Sequence, residues 1–359
     1  MCTLINEKPQ LQETKGAQQI KFNLKSTWKS ASLLRGLWIS LCLIVWGCGH
    51  KGLNAELKGY DYPYPVHEYQ FQTQGQSLSM AYMDLPGAST DGGAKVVVMF
   101  HGKNFSGESF ADFAKKLQAK GFRVLLIDQI GFGKSSKPQA FQFSFQELAA
   151  DSIHLIASLG ISHFTLVGHS MGGMLAVRTA LMYPEKVDKL VLIDPLGLED
   201  WKVVVPPRSI DQLYAAELQT TAEKIKSYQL ENYYDGKWQP EYDRFLQIPM
   251  GWLAGPDYQK IAWDSALVYD MILNQPVIYE LPLLRPPTVL IVGTRDRTAL
   301  GKAWASDSVK KQLGQYPLLA KAAHKKIPHC RLLLLEGLGH VPFLEAPERF
   351  WSAVSPEFE

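Results

Sequence analysis

The chain has 359 residues, 46% of them hydrophobic and 20% charged, with four cysteines. That length suits one large α/β domain with an insertion, or two domains, and the absence of low-complexity tracts and internal repeats excludes an array architecture. The formal charge of +2 belongs to the leader: residues 1–55 hold seven Lys/Arg against two Asp/Glu, leaving 30 basic and 33 acidic side chains and a formal −3 beyond them, so charge gives no support to nucleic-acid binding.

Within that leader, Lys8, Lys15, Lys21, Lys25, Lys29 and Arg35 precede an apolar run from Gly36 to Gly47. About a dozen apolar residues suit a signal-peptide core better than a bilayer span. The expected outcome is export to the periplasm or medium, with any membrane contact made through this segment. Three endings stay open: cleavage after Leu53-Asn54-Ala55, lipidation of Cys48 in Val45-Trp46-Gly47-Cys48, where Trp46 fits a lipoprotein box poorly, or an uncleaved anchor. Beyond residue 55 only Cys330 remains, so neither a disulfide framework nor a cysteine metal cluster is expected. Cys330 reads as a small core residue.

Tyr60 to Pro65 is an aromatic, proline-stiffened lead-in. Val66 to Gln74 and Ser77 to Asp84 alternate around Gly75-Gln76, the pattern of a β-hairpin. Asp91-Gly92-Gly93 reads as a turn. Val96 to Phe100 is continuously apolar, as in a strand buried on both faces. Ser109-Phe110-Ala111-Asp112 reads as a capping box for a helix that ends near Lys120, stopped by Gly121. Phe122 to Ile127 is the next strand, and Ser144 caps a helix to Leu159. Phe164 to Val167 is a strand, followed by Gly168-His169-Ser170-Met171-Gly172-Gly173 and a helix to Tyr183. Leu190 to Ile193 is another strand. From Gly197 to Arg285 the strand rhythm disappears into helix formers and aromatics, which predicts a helical insertion. Strands resume at Thr288 to Val292 and Arg331 to Leu335, with a polar helical stretch from Gly301 to Lys326 between them and a final helix from Pro347. The whole predicts an α/β fold, a mostly parallel sheet with helices on both faces and a helical cap. The expected divisions are 1–55 leader, 56–196 and 286–359 core, and 197–285 cap.

Gly-x-Ser-x-Gly by itself arises by chance in roughly one chain in ten of this length. Its position between a strand and a helix raises it to a nucleophile elbow, in which only glycine relieves the crowding two residues either side of the serine. Ser170 needs a base, since a free hydroxyl is barely nucleophilic at neutral pH. His340, in Gly337-Leu338-Gly339-His340 after the last strand, is the candidate. The base needs an acceptor to fix its tautomer, and Asp296 lies one strand earlier; Asp194, also past a strand end, is its rival. The backbone N–H groups of Met171 and Lys103 are the candidate oxyanion donors, shaped by His101, Gly102, Gly168 and Gly172. His169 reads as packing beside the elbow. His67, His154, His163, His324 and His329 show no metal spacing, so no metal and no cofactor is expected. Gly131 and Gly133 read as a tight loop rather than a phosphate site, because no third glycine or immediate helix follows.

These motifs together resemble the α/β-hydrolase superfamily, in its branch of small-molecule esterases and carbon–carbon-bond hydrolases. The resemblance runs from about Val66 to the C-terminus and rests on His101-Gly102, Asp128 with Gly131, Gly133 and Ser135, the elbow, Asp296 and Gly339-His340. It implies that residues 197–285 are the family's helical cap. Two departures stand out: Lys103-Asn104 replaces a glycine-rich continuation, and Asp296 and His340 are 44 residues apart, which suggests an enlarged excursion after the seventh strand. The expected activity is hydrolysis of small or medium apolar carboxylic esters through an acyl-enzyme. The alternatives are carbon–carbon-bond hydrolysis, which expected export disfavours, and a ligand-binding protein on a retired scaffold. The family's dehalogenases and epoxide hydrolases use an aspartate at the elbow, which Ser170 disfavours.

Overall fold

The computed structural model describes residues 51–88, 93 and 95–359. The apolar run 36–47, Cys48 and the turn residues Asp91 and Gly92 lie outside the described residues. No described helix is long and apolar enough to cross a membrane.

An eight-stranded sheet forms, in the order β1-β2-β4-β3-β5-β6-β7-β8. β1 (Val66–Thr73) and β2 (Gln76–Leu85) are the expected antiparallel hairpin, and β2 lies antiparallel on β4 (Arg123–Ile127). β3 (Val96–Phe100) pairs in parallel with β4 and with β5 (Phe164–His169); β6 (Val187–Ile193), β7 (Thr288–Gly293) and β8 (Cys330–Leu335) continue the parallel run. The mostly parallel sheet read from the sequence is therefore what forms.

Why the central strands read as unbroken apolar runs is visible in the packing. Val98, Phe100, Leu125, Ile127, Leu192 and Leu290 point into one core, and their neighbours Val97, Met99, Val124, Leu126, Val191 and Ile291 into another. A period-2 element covered on both faces has no position left for a polar side chain. α2 (Phe145–Ser158) and α3 (Met171–Met182) cover the first face, and α1 (Ala111–Ala119) covers the second. Each fully buried Leu, Ile, Val or Phe contributes about 1.5–3 kcal/mol by leaving water. Ser144 caps α2 as expected, its hydroxyl accepting from Glu147 N–H. The capping box at Ser109 does not form. A short 3₁₀ turn, Gly107–Phe110, precedes α1; Ser109 Oγ donates to the Ser106 carbonyl, and fully buried Phe110 takes the N-cap position.

Between β6 and β7 the chain leaves the sheet for α4 (Ile210–Glu217), α5 (Ala222–Asn232), α6 (Arg244–Leu253) and α7 (Tyr258–Asn274). After β7 come α8 (Asp307–Gln312) and α9 (Tyr316–Lys326), and after β8 α10 (Pro342–Glu345) and α11 (Pro347–Val354).

A strap ahead of β1 ties the cap helices to the sheet. Its first part bonds to the cap: Leu53 N–H donates to Gly251 O (2.8 Å), Ala55 N–H to Asp257 Oδ2 (2.9 Å), and Trp252 Nε1–H to Asn54 O (3.1 Å). Its second part bonds to the core: Lys134 Nζ donates to the carbonyls of Leu57 and Tyr60, and Tyr62 O–H to Asp128 Oδ2 (2.8 Å). The fit is close enough to require glycine at 255, where a Cβ would sit 1.9 Å from Leu53 O. Ala55 and Leu57 are buried. The leader boundary expected after Ala55 thus falls inside a folded segment.

Candidate active site

The elbow forms where β5 turns into α3. Ser170 has φ 55° and ψ −122°, a conformation costing a non-glycine residue on the order of 1–3 kcal/mol. Its neighbours show what holds it there. A Cβ on Gly172 would lie 2.1 Å from the Phe100 carbonyl, and one on Gly168 2.3 Å from the Gly172 carbonyl. Both glycines are therefore steric requirements of this turn.

Ser170, Asp296 and His340, read from three separate strand ends, meet. His340 Nδ1–H donates to Asp296 Oδ2 (2.7 Å), and the Ser170 hydroxyl donates to His340 Nε2 (2.9 Å). The tautomer follows from chemistry: an ionised carboxylate only accepts, so Nδ1 carries the proton and Nε2 is free to receive one. All three residues are at most 5% exposed. Asp296 Oδ1 accepts from Thr298 N–H (2.8 Å), which fixes the carboxylate's orientation.

Asp194, the rival acid, is not bonded to the imidazole. Its Oδ1 accepts from Gly293 N–H (2.8 Å), and its Oδ2 has no donor. Burial, then the neighbouring Asp296 charge, pushes its carboxyl well above the usual range. Burial beside another carboxyl favours the protonated form of Asp194.

Met171 opens α3, so its N–H is among the donors a helix leaves without an internal carbonyl. Lys103 follows Gly102, where a Cβ would sit 2.8 Å from Ser170 Cβ; the missing side chain brings this loop against the serine. His101 Nδ1–H donates to Gly102 O (2.9 Å) and its Nε2 accepts from Gln129 N–H (3.1 Å). Burial lowers the His101 pKa, consistent with a neutral ring that orders this loop. His169 packs beside the elbow, as expected, and its Nε2–H donates to the His340 carbonyl (2.9 Å).

A cavity of about 690 Å³ opens over Ser170 and His340. Five of the cap aromatics line it: Tyr228, Tyr233, Trp252, Tyr258 and Tyr269. Tyr233 stacks on His340, with ring centroids 5.6 Å apart and planes at 24°. Tyr234, Tyr242 and Phe245 dock the cap into the second core, to which Tyr233 also belongs, and do not line the cavity. The sequence holds no signal that separates these two groups, since of the consecutive Tyr233 and Tyr234, both in the second core, only Tyr233 also reaches the cavity. Another contribution missed from sequence is Glu345, which accepts from Gly339 N–H (2.6 Å) and pairs with Arg295, pinning the loop that carries His340. Among the described residues no group of His, Cys, Asp and Glu is placed to hold a metal.

A sequence model of the family described as "alpha/beta hydrolase fold" matches residues 95–347. A crystal structure of a probable hydrolytic enzyme from Pseudomonas aeruginosa superposes with a TM-score of 0.84 at 46% identity, covering 87% of this chain and 99% of that one. Lipase 1 of Psychrobacter immobilis is 24% identical over 258 residues, 70% of this chain and 72% of the lipase. A 2-hydroxy-6-oxononadienedioate/2-hydroxy-6-oxononatrienedioate hydrolase of Paraburkholderia xenovorans is 35% identical over 139 residues, 37% of this chain and 48% of that protein. The strand order, the elbow and these matches lead to one conclusion: the chain belongs to the α/β-hydrolase fold family.

Proposed function

We propose that the protein is a serine hydrolase that cleaves carboxylic esters with small or medium apolar acyl groups through an acyl-enzyme. The observation that carries this reading is the unbroken relay from Ser170 Oγ through His340 to Asp296, opening into a cavity walled by aromatic side chains. Ser170 Oγ attacks the ester carbonyl carbon while His340 Nε2 takes its proton, and Asp296 stabilises the imidazolium. The carbonyl oxygen becomes an oxyanion facing the N–H groups of Met171 and Lys103. The intermediate collapses, the C–O bond to the alcohol breaks, and His340 returns the proton to the departing alkoxide. Water then enters, gives its proton to His340, attacks the acyl carbon and releases the acid, restoring Ser170. Ser170→Ala is expected to lower turnover of p-nitrophenyl butyrate by at least about 10⁴-fold with folding intact, and to abolish labelling by a fluorophosphonate. A variant that keeps full activity overturns the reading.

A second reading, carbon–carbon-bond hydrolysis of a vinylogous diketone, is favoured by the local similarity to the Paraburkholderia hydrolase. Loss of the dienol chromophore of such a substrate, with no turnover of the butyrate ester, would select it.

A further inference from the structure

The walls of the cavity are not electrostatically neutral. Lys103, Lys224, Arg297, Lys302 and Lys310 line it, and among the described residues Glu217 is the only carboxylate that does. Glu217 is already engaged, paired with Lys103 at 3.2 Å, and Lys103 also donates to Ser265 Oγ (2.7 Å). Lys310 pairs with Asp307, which is not part of the lining. Lys224 and Lys302 donate only to backbone carbonyls, those of Gln219 and Arg297. Arg297 uses Nη1 on the carbonyls of Thr294 and Asp296, which leaves the other face of its guanidinium free of protein acceptors.

The sources of these charges differ. Lys224 comes from α5 of the cap, on one wall. Arg297, Lys302 and Lys310 come from the long excursion between β7 and β8, on another. Cations facing a cleft with low-dielectric walls raise the local concentration of anions inside it. The aromatic lining and the cationic lining together describe an amphipathic guest: an apolar portion against Tyr228, Tyr233 and Trp252, and a charged end toward the excursion.

We propose that the ester substrate carries an anionic group, a carboxylate or a phosphate monoester, and that Arg297, Lys302 and Lys224 receive it. This rests on the ester-hydrolase reading above and names the substrate class for the same site. The enlarged excursion after β7 is then a specificity element, because it supplies two of the three receiving cations.

The test compares esters matched in length and differing only in charge, on the whole chain. One pair is mono-p-nitrophenyl glutarate and p-nitrophenyl valerate, with the charge on the acyl side. The other is 1-butyryl-glycerol 3-phosphate and 1-butyrylglycerol, with the charge on the alcohol side. At least one charged ester should be preferred in kcat/KM by about tenfold at low ionic strength, the preference shrinking to about twofold as salt screens the site. The charged-to-neutral ratio should fall toward one in Arg297→Gln/Lys302→Gln, and Lys302→Glu should drive it below one. Preference in the first pair assigns the anion to the acid, and preference in the second assigns it to the alcohol. Equal rates within both pairs, with neutral esters turned over, overturn the anionic substrate and leave the ester reading standing. No turnover of any of the four, with Ser170 unlabelled by fluorophosphonate, overturns the ester reading itself. A charge preference that persists unchanged in these variants overturns the assignment to these residues.

Discussion

The carboxyl edge of the sheet and the cap face the same cavity, but they are held in place by different means. At the sheet edge Ser170, Asp296 and His340 sit on turns set by parallel hydrogen bonding and by glycines pressed onto backbone carbonyls, where nothing can shift without moving a strand. The cap has no strand pairing to the sheet. It is held by Val268, Met271 and Ile272 of α7 in the first core, by Tyr234, Tyr242 and Phe245 in the second, and by the strap. Positions fixed by backbone geometry allow few residue types, so motifs mark them. Positions fixed by side-chain packing tolerate any hydrophobe of suitable size, so no motif does. Motifs therefore mark the sheet edge, and none marks the cap.

This contrast can be broken most sharply at Gly172. Gly172→Ala drives a methyl group into the Phe100 and His101 carbonyls, at 2.1 and 2.6 Å. Neither is the end of a flexible side chain, so the expected cost is at least about 3 kcal/mol, with activity falling below detection. Denaturant unfolding and ester turnover measure it; a variant with parental stability would show that the edge has more slack than its geometry allows.

A smaller effect is expected when the strap is cut. A chain begun at Glu56 lacks the three hydrogen bonds by which Leu53, Asn54 and Ala55 reach the cap, and should lose about 2–3 kcal/mol relative to one begun at Lys51, roughly 5 °C in Tm. Because the strap holds the cap and not the strand ends, kcat/KM should fall by about tenfold through KM. Equal Tm and KM in the two chains would mean that the core contacts hold the cap alone.

The smallest effect lies at the joint between the two regions. Asp264 on α7 is 1% exposed with both oxygens unpartnered, and burial pushes its carboxyl up to about 8, with Lys137 and Lys260 opposing. The folded chain thus holds a proton that the unfolded chain releases above its ordinary value near 4, and stability falls as pH rises from about 4 to about 8. Buried Lys137, lowered to about 7 by desolvation, acts in the opposite sense from pH 7 upward. Asp264→Asn removes the first term. Its Tm relative to the parent should rise between pH 5 and pH 8, by the equivalent of about 1–2 kcal/mol. A constant difference across that range would mean the carboxyl is paired.

The same division explains what could be read from the sequence. Strand runs, the elbow and the residues just past strand ends were legible because burial on both faces and tight turns leave sharp compositional traces. The choice between Asp194 and Asp296 was not, since both follow β-strands; it turns on which oxygen the imidazole reaches. Tyr233 against His340 was hidden too, because its neighbour Tyr234 has the same chemistry and does not reach the cavity. Ser109 misled because a four-residue pattern cannot reveal a 3₁₀ turn beneath it. The strap escaped notice because its partners are far off in sequence and its contacts are mostly backbone.

That distance has its own consequence. The Ala55 amide lies 202 residues from the carboxylate that receives it, and the Asn54 carbonyl 198 residues from the indole that donates to it. A ribosome must therefore synthesise the chain through Asp257 before the strap can find its partners. Until then β1 to β6 can assemble while Leu53 to Ala55 wait without these partners, so the cap closes onto the strap only after the first six strands have been made.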